Sequence, residues 1–123
     1  MEWKFNGSSP VYLQIMEQIR GAVLTGEYPP GQRIPSVREL AAAARVNPNT
    51  MQRALTELER EELLVGGGTL GRYVTSDRSV LDELRRSALH RTLREFLERC
   101  KALGVSPQEA AALLLEMQEK EEL

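Results

Sequence analysis

A chain of 123 residues has room for one domain of ordinary size plus an appendage. A formal net charge of −2 excludes a uniformly basic coat. No apolar run approaches the ~18 residues needed to cross a membrane, and the N-terminus lacks a secretory pattern. One cysteine excludes an intrachain disulfide and fits a reducing compartment, so a cytoplasmic location is expected.

The first candidate element is an extended arm. Trp3 and Phe5 point to one side if extended and pack either on the domain or on a partner. Pro10 then precedes a helix with Tyr12, Ile15, Met16, Ile19 and Val23 on one side, closed by Gly26.

The stretch from Ile34 to Leu58 is the most informative in the chain. Pro35 disfavours helix at Ile34. Ser36 supplies an N-cap hydroxyl, with Glu39 three residues on to complete a capping box. Asn47 is a second N-cap, followed by Pro48 at the first helical position, where a missing N–H costs nothing. The first helix buries Val37, Leu40, Ala41 and Ala44, and the second buries Met51, Ala54, Leu55 and Leu58. The opposite face of the second carries Asn49, Gln52, Arg53 and Thr56. Amides pair with adenine, guanidinium with guanine or phosphate, and hydroxyls with either. A solvated surface face is the bland alternative, but this one has no acid before Glu57. Two capped helices around a tight turn read as a helix-turn-helix whose second helix enters a DNA groove.

Two short β-favouring runs, Leu63-Leu-Val65 and Arg72-Tyr-Val-Thr75, flank the glycine-rich segment Gly66–Gly71 and predict a hairpin. Its glycines permit positive φ and close approach to a phosphate, with Arg72 near the base of the loop.

A long helix is predicted from Asp77 or Ser79 to about Leu103. Leu89, Leu93, Phe96, Cys100 and Leu103 form a heptad-like seam, ended by Gly104. Ser106-Pro-Gln-Glu109 is a third capped start, and the last helix shows Ala110, Leu113, Leu114 and Met117. Two helices cannot bury so wide an apolar face alone. Pairing with a second copy is the economical solution, and folding back on the chain's own first domain is the alternative.

Charge is unevenly placed. Residues 33–78 hold seven Arg against six acids, which cluster late in the third helix; residues 79–123 hold nine acids against seven bases. Placement therefore says more than the total.

The run from Pro10 to Thr75 resembles the DNA-binding domain of the GntR family of bacterial transcription regulators. The matching pieces are Pro10-Val-Tyr-Leu-Gln-Ile15, Gly26-Glu-Tyr-Pro-Pro-Gly31, Ile34-Pro-Ser-Val-Arg-Glu-Leu-Ala41, Val46-Asn-Pro-Asn-Thr50 and Arg53-Ala-Leu-Thr-Glu-Leu58. The resemblance implies a mainly α fold with a small β-hairpin. An N-terminal winged helix-turn-helix over 1–76 would be followed by a two-helix dimerisation hairpin over 77–123. It implies DNA contacts from Ser36, Arg38, Asn47, Asn49, Thr50, Gln52 and Arg53, with Gly68 and Arg72 serving from the wing. The chain departs from the pattern at Thr69-Leu70, where wings are usually basic, and at Glu62, where the family tends to have glycine.

The short tail resembles the family's small YtrA-like branch, in which the tail makes the homodimer. The expected interface is Leu89, Leu93, Phe96, Cys100, Leu103, Leu113, Leu114 and Met117. The expected partners are double-stranded DNA and a second copy, with no membrane. The expected function is repression from a near-palindromic operator, with a winged-helix protein-interaction module as the alternative. His90 and Cys100 lie about 15 Å apart along a helix and cannot share a metal. No catalytic set or phosphate loop is present, so no enzyme, metal or cofactor is expected. The apolar seam offers no convergent polar set for a small effector, whose existence stays open.

Overall fold

A computed structural model describes residues 1–67 and 70–120. Among them are five helices, α1 (Val11–Thr25), α2 (Val37–Ala44), α3 (Pro48–Arg60), α4 (Arg78–Ala102) and α5 (Pro107–Glu119). Two strands, β1 (Leu64–Gly66) and β2 (Arg72–Val74), complete the set. This is the mainly helical winged helix-turn-helix the sequence leads one to expect.

The expected helix starts are realised in detail. The Ser36 hydroxyl accepts from the Glu39 N–H at 3.1 Å, and the Glu39 carboxylate accepts from the Ser36 N–H at 3.2 Å. Asn47 accepts from the Asn49 N–H at 2.7 Å, with Pro48 opening α3. Ser106 repeats the arrangement with Glu109 at 3.1 Å before α5. Such caps each hold about 1 kcal/mol, because they satisfy amides the helix itself leaves open.

By packing, the chain divides into two units within α4, Met1–Arg85 and a second from Arg86 onward. In the first, α3 is the centre. Met51, Ala54, Leu55 and Leu58 have no exposed surface, and α1, α2 and β1 all pack on α3. Ile15 and Ile19 come from α1, Leu63 and Leu64 from the approach to and start of β1, and Val74 from β2. Leu81 and Leu84 of α4 lie against this core.

β1 and β2 pair antiparallel, Leu64 with Val74, Val65 with Tyr73 and Gly66 with Arg72. The segment before α2 extends the sheet. Gly31 donates to the Val74 carbonyl at 2.9 Å, Val74 to that of Gln32 at 2.9 Å and Ile34 to that of Arg72 at 3.0 Å. Nothing in its composition marks residues 31–34 as strand-like, since the pairing is supplied wholly by a distant partner.

The N-terminal arm packs on its own domain. Trp3 and Phe5 stack with centroids 6.1 Å apart and lie against the core. Gln18 of α1 accepts from the Lys4 N–H at 2.9 Å and donates to the Lys4 carbonyl at 2.8 Å. Gln14 does the same for Asn6, at 3.0 and 2.8 Å. Two amides one helical turn apart thus act as a surrogate strand edge.

The second unit is sparsely packed. Cys100 and Ala110 are its buried residues, while Leu89, Leu93, Phe96, Leu103, Leu113 and Leu114 are exposed. Gly104, at φ 76°, turns the chain between α4 and α5.

After α3 the chain turns through Glu62 at φ 65°, in the left-handed region that favours glycine. A conformation suited to glycine is therefore adopted here by a glutamate. The Leu63 N–H still reaches the Leu58 carbonyl at 3.0 Å. A non-glycine residue pays about 1–2 kcal/mol there. Glu62 is exposed, so its side chain offers little packing in return. Glu62→Gly is expected to stabilise the protein by about 1 kcal/mol, after the greater freedom of glycine in the unfolded chain is deducted. Thermal melts read this as a rise of a few degrees; no rise would contradict the strain.

Candidate nucleic-acid interface

The helix-turn-helix brings two helix starts to one surface. The turn between them runs through Arg45 at φ 58°, with the Val46 N–H reaching back to the Ala41 carbonyl at 3.0 Å. Asn47, Asn49, Gln52 and Arg53 are exposed at and after the start of α3, and Thr50 is half-buried. Gln52 donates to the Thr56 hydroxyl at 3.3 Å, a weak contact that leaves the amide available. Ser36 and Arg38 are exposed at the start of α2. The Ser36 oxygen is already an acceptor for α2, but its O–H remains a donor.

Arginine partners divide the first unit. Arg20 pairs with Glu61 at 2.5 Å and with Glu17 at 3.4 Å, and Arg60 pairs with Glu57 at 2.7 Å. Among the described residues, Arg33, Arg38, Arg45 and Arg53 form no ion pair. Acids on α3 are confined to its second half, beyond Thr56, so the guanidinium groups around the helix starts keep their charge for an outside partner. Glu39, in the first turn of α2, has its carboxyl held below the ordinary range, first by its hydrogen bonds to Ser36 and then by the charge of Arg33. It therefore stays ionised near neutral pH, and its cap is lost only as pH falls through and below the usual glutamate range.

Arg72, expected at the base of the wing, is engaged within the fold. Its Nε donates to the Glu59 carboxylate, and its side chain is only 11% exposed. It ties the wing to α3 from beneath. The peptide at Gly67 lies against the same carboxylate, since a Cβ there would sit 3.3 Å from Glu59 Oε2. Gly68 lies outside the described residues. Leu70, two residues on in the sequence, is 77% exposed.

Three participants have roles that no local pattern in the sequence marks. Tyr12 of α1 lies under Arg53, whose guanidinium carbon stands 3.7 Å from the ring centroid. That is a cation–π contact holding a residue of the α3 polar face. Glu59 precedes Arg72 by 13 residues and meets it only through the fold. Arg33 lines a cleft of about 270 Å³ together with Ser36, Arg38, Gly71 and Arg72.

Of the tail residues, Leu89, Leu93, Phe96, Leu103, Leu113 and Leu114 are exposed and Met117 is half-buried. Cys100 differs from these residues in its burial. It is 8% exposed in the single chain, and so adds little surface for a second copy.

Comparison with known proteins agrees with this geometry. Residues 11–73 match the family described as bacterial regulatory proteins, gntR family. The HTH-type transcriptional repressor YtrA of Bacillus subtilis (strain 168) is 37% identical over 102 residues, 80% of this chain and 76% of that protein. A GntR family transcriptional regulator from Listeria monocytogenes superposes with TM-score 0.79 at 33% identity, covering 91% of this chain and 98% of that one. The crystal structure of AraR(DBD) in complex with operator ORX1 superposes with TM-score 0.56 at 29% identity, over 61% of this chain and 96% of that one.

If Arg72 is a wing anchor, Arg72→Ala strands the Glu59 carboxylate in a partly buried position. A loss of about 1–3 kcal/mol in unfolding free energy is expected from denaturant titration. The double variant Glu59→Ala with Arg72→Ala should cost less than the sum of the two single losses. Full additivity would mean that the pair does not hold the wing.

Proposed function

The chain belongs to the gntR family of bacterial regulatory proteins, and from that membership we propose that it is a homodimeric, sequence-specific repressor that occupies a near-palindromic operator in the cytoplasm. Members of the family are DNA-binding transcription regulators, not enzymes. The observation that carries the specific reading is the pairing pattern of the arginines. Among the described residues, those around the starts of α2 and α3 form no ion pair, whereas Arg20, Arg60 and Arg72 do.

In this reading, residues 1–76 form the DNA-binding module and 77–123 the dimerisation tail. α3 lies in the major groove. Asn49 and Gln52 present amides to base edges, and Arg53, braced by Tyr12, reaches a guanine or an adjacent phosphate. Asn47 and Thr50 flank them, while Ser36 and Arg38 secure the strand backbone or a neighbouring base from α2. The solved AraR(DBD) complex with an operator supports this use of the shared fold.

Dimerisation rests on the tail. A row of exposed leucines and Phe96 along α4, with Leu113 and Leu114 on α5, would be costly to leave in water. A second copy brings the same surface, as twofold symmetry requires. Two recognition helices would then address half-sites about 34 Å apart.

The test is fluorescence anisotropy with the chain's own upstream promoter DNA against a scrambled duplex. Wild type is expected to prefer the promoter, one dimer per site. Arg38→Ala should lose about tenfold or more of that affinity, within the ~1–3 kcal/mol of a specific contact, with its thermal melt unchanged. Unchanged affinity would remove Arg38 from the site. Absence of binding to any duplex at low salt would favour the protein-interaction alternative. For the tail, Leu93→Arg should convert the dimer to monomer in sedimentation without unfolding the first unit. A variant that stays dimeric would place the interface elsewhere.

A further inference from the structure

Arg33 lies outside the helix-turn-helix, and its backbone sits in the segment that extends the wing. Its neighbours fix it there. Gln32 accepts from the Val74 N–H, Ile34 donates to the Arg72 carbonyl, and Arg33 itself bridges Tyr73. The side chain crosses Gly71 so closely that a Cβ there would stand 2.7 Å from Nε and 2.9 Å from Nη2. A side chain at 71 would push the guanidinium off this path, and the φ of 81° there itself favours glycine. Arg33 thereby borders the cleft that Arg38 also lines.

The charge balance of the cleft is positive. Arg33, Arg38 and Arg72 line it and no acid does; of the neighbouring acids, Glu39 feels the charge of Arg33 and Glu59 is already engaged by Arg72. Arg33 and Arg38 form no ion pair among the described residues. Such an arrangement suits a group with negative oxygens that accepts from planar N–H forks. The cleft is lined from the start of α2 and the base of the wing, with no residue of α3 in its lining. Its occupant therefore meets none of the α3 groups that read bases in the proposed function.

We propose that the cleft between the start of α2 and the base of the wing is a DNA-backbone phosphate site in which Arg33, passing over Gly71, is a second guanidinium beside Arg38. The inference rests on the DNA-binding reading above and adds to it a contact that is independent of base sequence. Arg33 is held by backbone pairing on both sides, so little chain freedom is lost when phosphate arrives. Its role is affinity and register of the wing on the strand, not choice of operator.

The experiment measures binding of wild type, Arg33→Gln and Arg33→Lys to promoter and scrambled duplexes over a range of salt concentrations. A phosphate contact contributes about 0.9 to the slope of log K against log salt, which is about tenfold in affinity per contact at 0.1 M. Arg33→Gln is expected to weaken promoter and scrambled DNA by the same factor and to lower the slope accordingly. Arg33→Lys, which keeps the charge, should retain most of the slope. Arg33 is exposed, so matched thermal melts are expected and verify that the fold is intact. Salt-dependent wild-type binding with an unchanged slope in Arg33→Gln would overturn the site while leaving the DNA reading standing. A loss confined to the promoter would make Arg33 a base reader and also overturn it. Absence of wild-type binding to either duplex would sink the DNA reading itself, and this site with it.

Discussion

The buried stripe of α3 is the constraint on which the first unit depends. Met51, Ala54, Leu55 and Leu58 are wholly enclosed, and burial of Met51 and the two leucines alone is worth roughly 5–8 kcal/mol, comparable with the net stability of a small domain. Because the stripe must face inward, the α-helical period turns Asn49, Gln52 and Arg53 outward. The polar face is thus oriented by packing behind it. Every other element of the unit is placed by what it adds to that enclosure, with α1 and α2 on the flanks and β1 against the end of α3.

Electrostatics then sorts the surface of this framework. Acids late in α3 and its following turn consume Arg60, Arg20 and Arg72, leaving the arginines at the helix starts uncommitted. A net charge of −2 is compatible with an anionic partner under these conditions, because the field near a surface follows the local arrangement within a Debye length of about 10 Å. The same acids serve the architecture. Glu59 holds the wing by Arg72, and Glu61 reaches across to α1 through Arg20. Charge that would hinder DNA at one end of α3 thereby stiffens the domain at the other.

The wing shows how such a unit is assembled from remote parts. Its two strands are three residues each, too short for a hairpin to persist in isolation. The pairing of residues 31–34 with β2 and the carboxylate of Glu59 supply the rest. Glycines at 66 and 71 are required by close approach, because a Cβ on Gly66 would lie 2.7 Å from the Gly71 carbonyl. The tail follows another logic. Its helices are well capped, yet their association within one chain buries little more than Cys100 and Ala110.

By itself, the sequence determined what depends on short range. The caps at Ser36, Asn47 and Ser106, the stops at Gly26 and Gly104, and the apolar periods of α2 and α3 are all local patterns, and each appears where those patterns place it. The polar face of α3 was legible for the same reason, since helical spacing alone puts Asn49, Gln52 and Arg53 together. Only the tertiary structure decided the roles of Arg72, Arg33, Tyr12 and Glu59. Their partners lie between 13 and 41 residues away, or one short element over in space, and no periodicity encodes such a meeting. Arg72 looked available because its charge was visible and its carboxylate was not. Cys100 looked like part of an outer seam because heptad spacing does not say which residue the turn into α5 will cover. Glu62 broke a composition rule but not the geometry, because the Leu58–Leu63 closure and the packing of Leu63 hold the turn against its strain.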